Sequence, residues 1–207
     1  MNRKFDPTLI GAIKEKEDTL DKYEDRMGTY LVRVSSKKLS EIDSLRVSKM
    51  LHAIGNFERL GDHALNLKDC AAEMHEKGLS FTVEAKKELA VLSAAIREIL
   101  EITHRAYSEN DVTMAQQVEP LEQVIDNLIR QARSSHLKRL NEGRCTIEMG
   151  FVLADVLNNY ERVSDHCSNI AVAVIEAASD RYDSHQYLDS IKTGENKAFQ
   201  QAYKQYS

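Results

Sequence analysis

Glu58 and Asp62 stand four residues apart, and so do Glu161 and Asp165, each pair inside a stretch reading Glu-Arg-x-x-Asp-His-x-x-Asn. On a helix that spacing projects both carboxylates from one face. Like charges held together repel, so a cation or a facing arginine is the natural resolution. Oxygen-only ligands favour hard cations: iron in either oxidation state first, then manganese, magnesium or calcium, with zinc as a further alternative. Residues 56–67 and 159–170 repeat one another, keeping their charged positions while exchanging apolar ones. A duplication of that kind preserves a site as well as a fold.

Helical phase sharpens the point. At about 100° per residue, Glu58 and Asp62 lie about 40° apart, on the stripe of Val47, Leu51, Ile54 and Leu65. They interrupt an apolar face, where an unpaired carboxylate is costly. A second, fainter repeat aligns Glu17-Asp18-Thr19-Leu20-Asp21 with Glu122-Gln123-Val124-Ile125-Asp126. Glu17 and Glu24 fall on the stripe of Ile13, Leu20 and Leu31, with Asp21 at its edge; Glu122 and Asp126 reach only the margin of the Leu121, Val124 and Leu128 stripe. The candidate metal ligands are therefore Glu17, Asp21, Glu58, Asp62, Glu122, Asp126, Glu161 and Asp165. The plain alternative is a solvated face on which Arg59 pairs with Asp62. His63 and His166 point about 60° further round and are open to two roles, as ligands or as groups supporting them. Asn66 and Asn169 read as polar packing contacts.

Helices must carry these residues. The chain has 207 residues, two prolines, eight glycines and no tryptophan, with 29% charged and 42% hydrophobic residues, an all-helical profile. The first helix is predicted from after Pro7 to about Val34, and the second from Ser40, capped with Asp43, to about Lys77 before Gly78. The third is predicted from Thr82 to about Asn110. The fourth runs from about Asp111 to Asn141, with Pro120 kinking it or delaying its start. The fifth runs from about Thr146 to Ala178, and a weaker sixth from about Ser184 to Tyr206. The duplicated motifs lie 103 residues apart, on helices two and five. The fold predicted is all-α, six helices in two tandem, pseudo-symmetric three-helix bundles, residues 9–110 and 111–206.

Composition excludes several functions. Net charge is −5 with both signs interspersed and no basic arm, so nucleic acid is not an expected partner. Cys70, Cys145 and Cys167 form no paired framework and lack zinc spacing, which suits reduced thiols in the cytosol. The start of the chain lacks the apolar core of a signal peptide, and no apolar run is long enough to span a bilayer. No phosphate-cradling glycine loop or nucleophile–base order stands out.

At Glu58-Arg59-Leu60-Gly61-Asp62-His63-Ala64-Leu65-Asn66 and Glu161-Arg162-Val163-Ser164-Asp165-His166 the sequence resembles the PhoU family, whose signature is a duplicated E-x-x-x-D. The stretch from Glu17 to Asp25, with Gly28-Thr29-Tyr30-Leu31-Val32, more closely resembles the PhoU-like C-terminal region of bacterial sodium/phosphate cotransporters. The resemblance spans residues 9 to 206. It implies two three-helix bundles, each able to bind a metal cluster through its acidic pairs, and a regulatory rather than catalytic role in phosphate uptake. The partner implied is a phosphate transporter's membrane domain or a phosphate transport system, with a homodimer among the expected assemblies. On the cotransporter reading, membrane helices precede Asn2 and this chain is a cytosolic tail. The alternatives are a stand-alone PhoU-type phosphate transport regulator and a carboxylate-bridged iron enzyme. The latter wants Glu-x-x-His, which neither motif has; a plain helical dimerisation module is the blandest reading. Ser164 in place of the motif's glycine, and Pro120 just before Glu122, are expected to weaken the second site more than the first.

Overall fold

A computed structural model describes residues 5–178 and 197–206. Every regular element among them is helical: α1 Pro7–Ser35, α2 Glu41–Glu76, α3 Val83–Glu109, a single-turn α4 Val112–Ala115, α5 Val118–Asn141, α6 Ile147–Ala178 and α7 Lys197–Tyr206. The all-α expectation holds. The beginning predicted for the sixth helix falls outside the described residues, and α7 is its C-terminal part.

Local chemistry sets these boundaries. The Asp6 side chain accepts from Thr8 N–H with Pro7 in the first turn, Ser40 Oγ accepts from Asp43 N–H and Thr82 Oγ1 from Ala85 N–H. Each supplies an acceptor to an amide the helix leaves unpaired. Gly78 and Gly143, at φ +63° and +68°, close α2 and α5; Asn110 does the same for α3 at φ +52°, a left-handed backbone that asparagine tolerates. Pro120 lies in the first turn of α5, where a missing N–H costs nothing, and the segment before it forms the separate turn α4. Pro120 delays the helix and does not kink it.

α2 and α6 run along one another as the central pair; α1 lies on α2, α5 on α6, and α3 on both α5 and α6. The sequence repeat and the spatial bundle are therefore different units, because the third helix of the first repeat joins the second half. Packing follows that distribution. Leu89, Leu92 and Ile99 of α3, Leu121, Ile125 and Ile129 of α5, and Val152, Val156 and Leu157 of α6 are fully buried. α1 buries only Leu31. The hydrophobic drive is concentrated in the α3–α5–α6 half.

Candidate functional site

The duplicated motifs face each other across the α2–α6 seam and exchange equivalent bonds. His63 Nδ1 lies 2.9 Å from Asn159 Oδ1, and His166 Nδ1 lies 2.8 Å from Asn56 Oδ1. Asn56 Nδ2 already donates to His52 O, and Asn159 Nδ2 to Asp155 O, each at 2.8 Å. Both amide oxygens must therefore accept, so each histidine carries its proton on Nδ1. Asn66 Nδ2 and Asn169 Nδ2 donate to the same two oxygens at 3.1 and 3.4 Å. The two imidazoles stack with centroids 5.4 Å apart. Burial first, then the neighbouring His63, lowers the pKa of His166. These six side chains form a reciprocal polar lock between the halves. Asn66 and Asn169 are packing contacts as expected. Asn56 and Asn159 were not singled out, although each stands seven residues before a motif histidine in both copies.

Carboxylates gather on either side of this lock. In the first half α1 brings Glu17 and Asp21 to Glu58 and Asp62 of α2. Burial raises the Glu58 pKa, with further contributions from the Asp62 charge and a hydrogen bond to it, while Arg59 opposes the shift. Glu17 is raised by desolvation, then Asp21, Asp18 and Asp62. Arg59 partly neutralises the group, with Nη1 3.1 Å from Asp62 Oδ2 and Nε 3.5 Å from Glu58 Oε2. Gly61 lets α1 approach here: a Cβ on it would stand 2.9 Å from Leu20 Cδ1 and 3.5 Å from Glu17 Cγ.

In the second half α5 brings Glu122 and Asp126 to Glu161 and Asp165 of α6, and Glu119 joins them. Burial, then Glu119, Asp126, Asp165 and Glu161, pushes the Glu122 carboxyl up to about 8. Asp126 is raised by burial and then by Glu161 and Asp165, against Arg130 and Arg133. Its Oδ1 is buried with no hydrogen-bond partner. Arg133 Nη2 reaches Glu161 Oε2 at 2.6 Å and Arg162 Nη1 reaches Asp165 Oδ2 at 3.2 Å. Ser164 fits its place: its Oγ donates to the carbonyls of Glu161 and Tyr160 at 2.8 and 3.3 Å.

The structure thus brings all eight predicted carboxylates into two groups of four, each from two helices. The two sites differ in their flanking helix: Glu122 and Asp126 are more deeply buried than Glu17 and Asp21, while Glu161 and Asp165, 36% and 37% exposed, are no drier than Glu58 and Asp62 at 23% and 33%. Glu122 is no margin residue; α5 turns it toward Glu161 and Asp165 of α6, where it is largely buried. Glu119 and Arg133 were missed because neither belongs to the repeat. The donor set, oxygen-only with one orphaned buried carboxylate oxygen, suits a hard cation in kind. As placed, no three acidic, imidazole or thiol side chains among the described residues converge on one point, and arginines pair with four of the eight carboxylates, Glu58, Asp62, Glu161 and Asp165.

These features define a class: an all-helical repeat protein with an acidic face on each side of a locked central pair. The chain matches the PhoU domain family over residues 2–71 and 89–174, and it belongs to that family. It is 23% identical over 192 residues to the phosphate-specific transport system accessory protein PhoU homolog 1 of Thermotoga maritima, covering 92% of this chain and 82% of that protein. It is also 23% identical to the PhoU homolog of Deinococcus radiodurans, over 80% of this chain and 77% of that one. Its fold is similar to crystalline PhoU from Pseudomonas aeruginosa, with a TM-score of 0.78 at 20% identity, over 85% of this chain and 84% of that one. These relatives carry the accessory-protein name. The expected closeness to the cotransporter's C-terminal region gives way to the PhoU proteins themselves. No helix among the described residues is long and apolar enough to cross a membrane.

Proposed function

We propose that this chain is a PhoU-type regulator of a phosphate transport system, acting by binding and not by turnover. Its family membership, together with relatives named as transport accessory proteins along most of its length, carries the reading. The α2–α6 lock adds a physical argument. Both motif histidines donate Nδ1–H to asparagines of the opposite half, so the duplicated motif holds the halves in register. The carboxylate-bridged iron enzyme is disfavoured because that class takes Glu-x-x-His ligands, and neither motif has a histidine three residues after its glutamate.

We also propose the two acidic groups as cation sites, with iron the leading candidate. Glu122, Asp126, Glu161 and Asp165 would hold one, and Glu17, Asp21, Glu58 and Asp62 the other. A bound cation would supply the charge that lets these acids ionise together and would give phosphate a positive partner. Without it, two rows of carboxylates repel an oxyanion. The regulatory reading is tested by phosphate uptake in cells lacking this chain, with and without its restoration, at low and high external phosphate. Uptake that loses its dependence on external phosphate, and regains it on restoration, is the outcome expected. Identical uptake in all strains removes the reading.

A further inference from the structure

Away from both acidic faces, a cavity of about 180 Å³ opens where the α5–α6 turn meets the start of α3, lined among others by Thr82, His136, Arg139, Arg144, Cys145 and Thr146. Cys145 Sγ stands 3.7 Å from His136 Nδ1. The other edge of that ring is fixed: a Cβ at Gly150 would lie 2.7 Å from His136 Nε2. Only glycine lets α6 come so close, and the imidazole is left presenting Nδ1 to the sulfur. The turn is pinned from beneath by Arg144 N–H donating to Arg139 O at 2.9 Å. Thr146 Oγ1 accepts from Met149 N–H, so Cys145 immediately precedes the N-cap of α6.

Arg139 lines the same cavity. It is 3% exposed, and its two terminal nitrogens hold Glu88 at 2.7 and 2.9 Å. Glu84, Glu88 and Glu142 offset Arg139 and Arg144, so the cavity favours a small neutral hydrogen-bonding molecule over a dianion. The other thiols offer no such setting. Burial raises the Cys70 thiol and pushes Cys167 up to about 12; both are buried.

We propose that Cys145 is an oxidation-sensitive thiol, modified by hydrogen peroxide entering this cavity, with His136 as the proton acceptor. His136 Nδ1 takes the thiol proton and the thiolate attacks one peroxide oxygen. An S–O bond forms as the O–O bond breaks, and the departing hydroxide recovers the proton to leave as water. Sulfur is oxidised by two electrons to a sulfenic acid and the peroxide is reduced by two.

The test exposes the reduced full chain briefly to hydrogen peroxide with dimedone, which traps sulfenic acids, and reads each cysteine by peptide mass spectrometry. Cys145 should label roughly tenfold or more faster than Cys70 or Cys167 in the same molecule, a comparison that needs no variant. His136→Asn, shown folded by its urea midpoint, should slow Cys145 labelling roughly tenfold or more. Labelling of Cys145 no faster than Cys70, or an unchanged rate in folded His136→Asn, overturns the proposal.

Discussion

The first and second acidic faces grow from one duplicated motif, yet the helices beneath them differ. α1 lies on α2 alone, buries a single residue and leaves Asp21 exposed. α5 packs against α6, α7 and α3, which crosses from the other repeat, and burial with the carboxylates of α5 and α6 drives Glu122 up to about 8. Equal sequence thus gives unequal electrostatics. The motif fixes which residue types face one another, while the packing of the flanking helix decides how dry they are. A carboxylate cluster in water is screened; the same cluster under a packed helix must be protonated, paired with arginine or neutralised by a cation.

The α2–α6 lock provides the largest expected stability difference between the halves. Asn56 is 6% exposed and Asn159 is half-buried. Asn56→Ala strands the Nδ1–H of His166 and should cost about 1–3 kcal/mol in urea unfolding. Asn159→Ala should cost less, because water can reach the stranded His63. Equal losses would show that the lock does not feel the packing asymmetry.

Next comes the pH dependence of Glu122→Gln. The native pKa is raised from 4.5 to about 8, so folding takes up a proton between those values. The native state accordingly loses stability as pH rises through that window. Removing the ionisable group should stabilise metal-free protein by about 1–3 kcal/mol at pH 9 and leave it nearly unchanged at pH 4. Glu17→Gln on the first face should show a much flatter difference, since water screens that group. Parallel curves for the two variants would break the comparison.

The smallest effects belong to the position where the motifs differ. Gly61→Ala gains helix propensity of up to about 1 kcal/mol but must displace exposed Leu20. Ser164→Ala loses hydroxyl bonds to carbonyls that already accept within the helix. Both should stay within about 1 kcal/mol in thermal unfolding. A large loss at Gly61 alone would mean that close approach of α1 matters more than its exposure suggests.

Much of this fold was legible because its punctuation is local. Asp6, Ser40 and Thr82 announce helix starts, and Gly78 and Asn110 announce ends. The eight carboxylates were legible from duplication and helical phase. What escaped depends on distant partners. Nothing near Val83–Glu109 says that α3 packs against the other repeat, and nothing near Glu122 says how closely α5 brings it onto the acids of α6. Asn56 bonds a histidine 110 residues away; the repeated Asn-to-His spacing was visible, but which half would receive it was not. Glu119 and Arg133 join the second face only through the α5–α6 packing.

The proposed cation sites are tested most directly by metal content. Protein purified without chelator would be analysed as wild type, as Glu122→Gln with Asp126→Asn, and as Glu17→Gln with Asp21→Asn. The second-face variant should lose roughly half or more of the bound metal while remaining folded, and the first-face variant should lose less, in keeping with the stronger hold that buried carboxylates have on a compensating charge. Wild-type protein without bound metal that also fails to take up iron or manganese on addition, or equal content in all three proteins, would contradict the cation sites and leave the arginines as the partners of these acids.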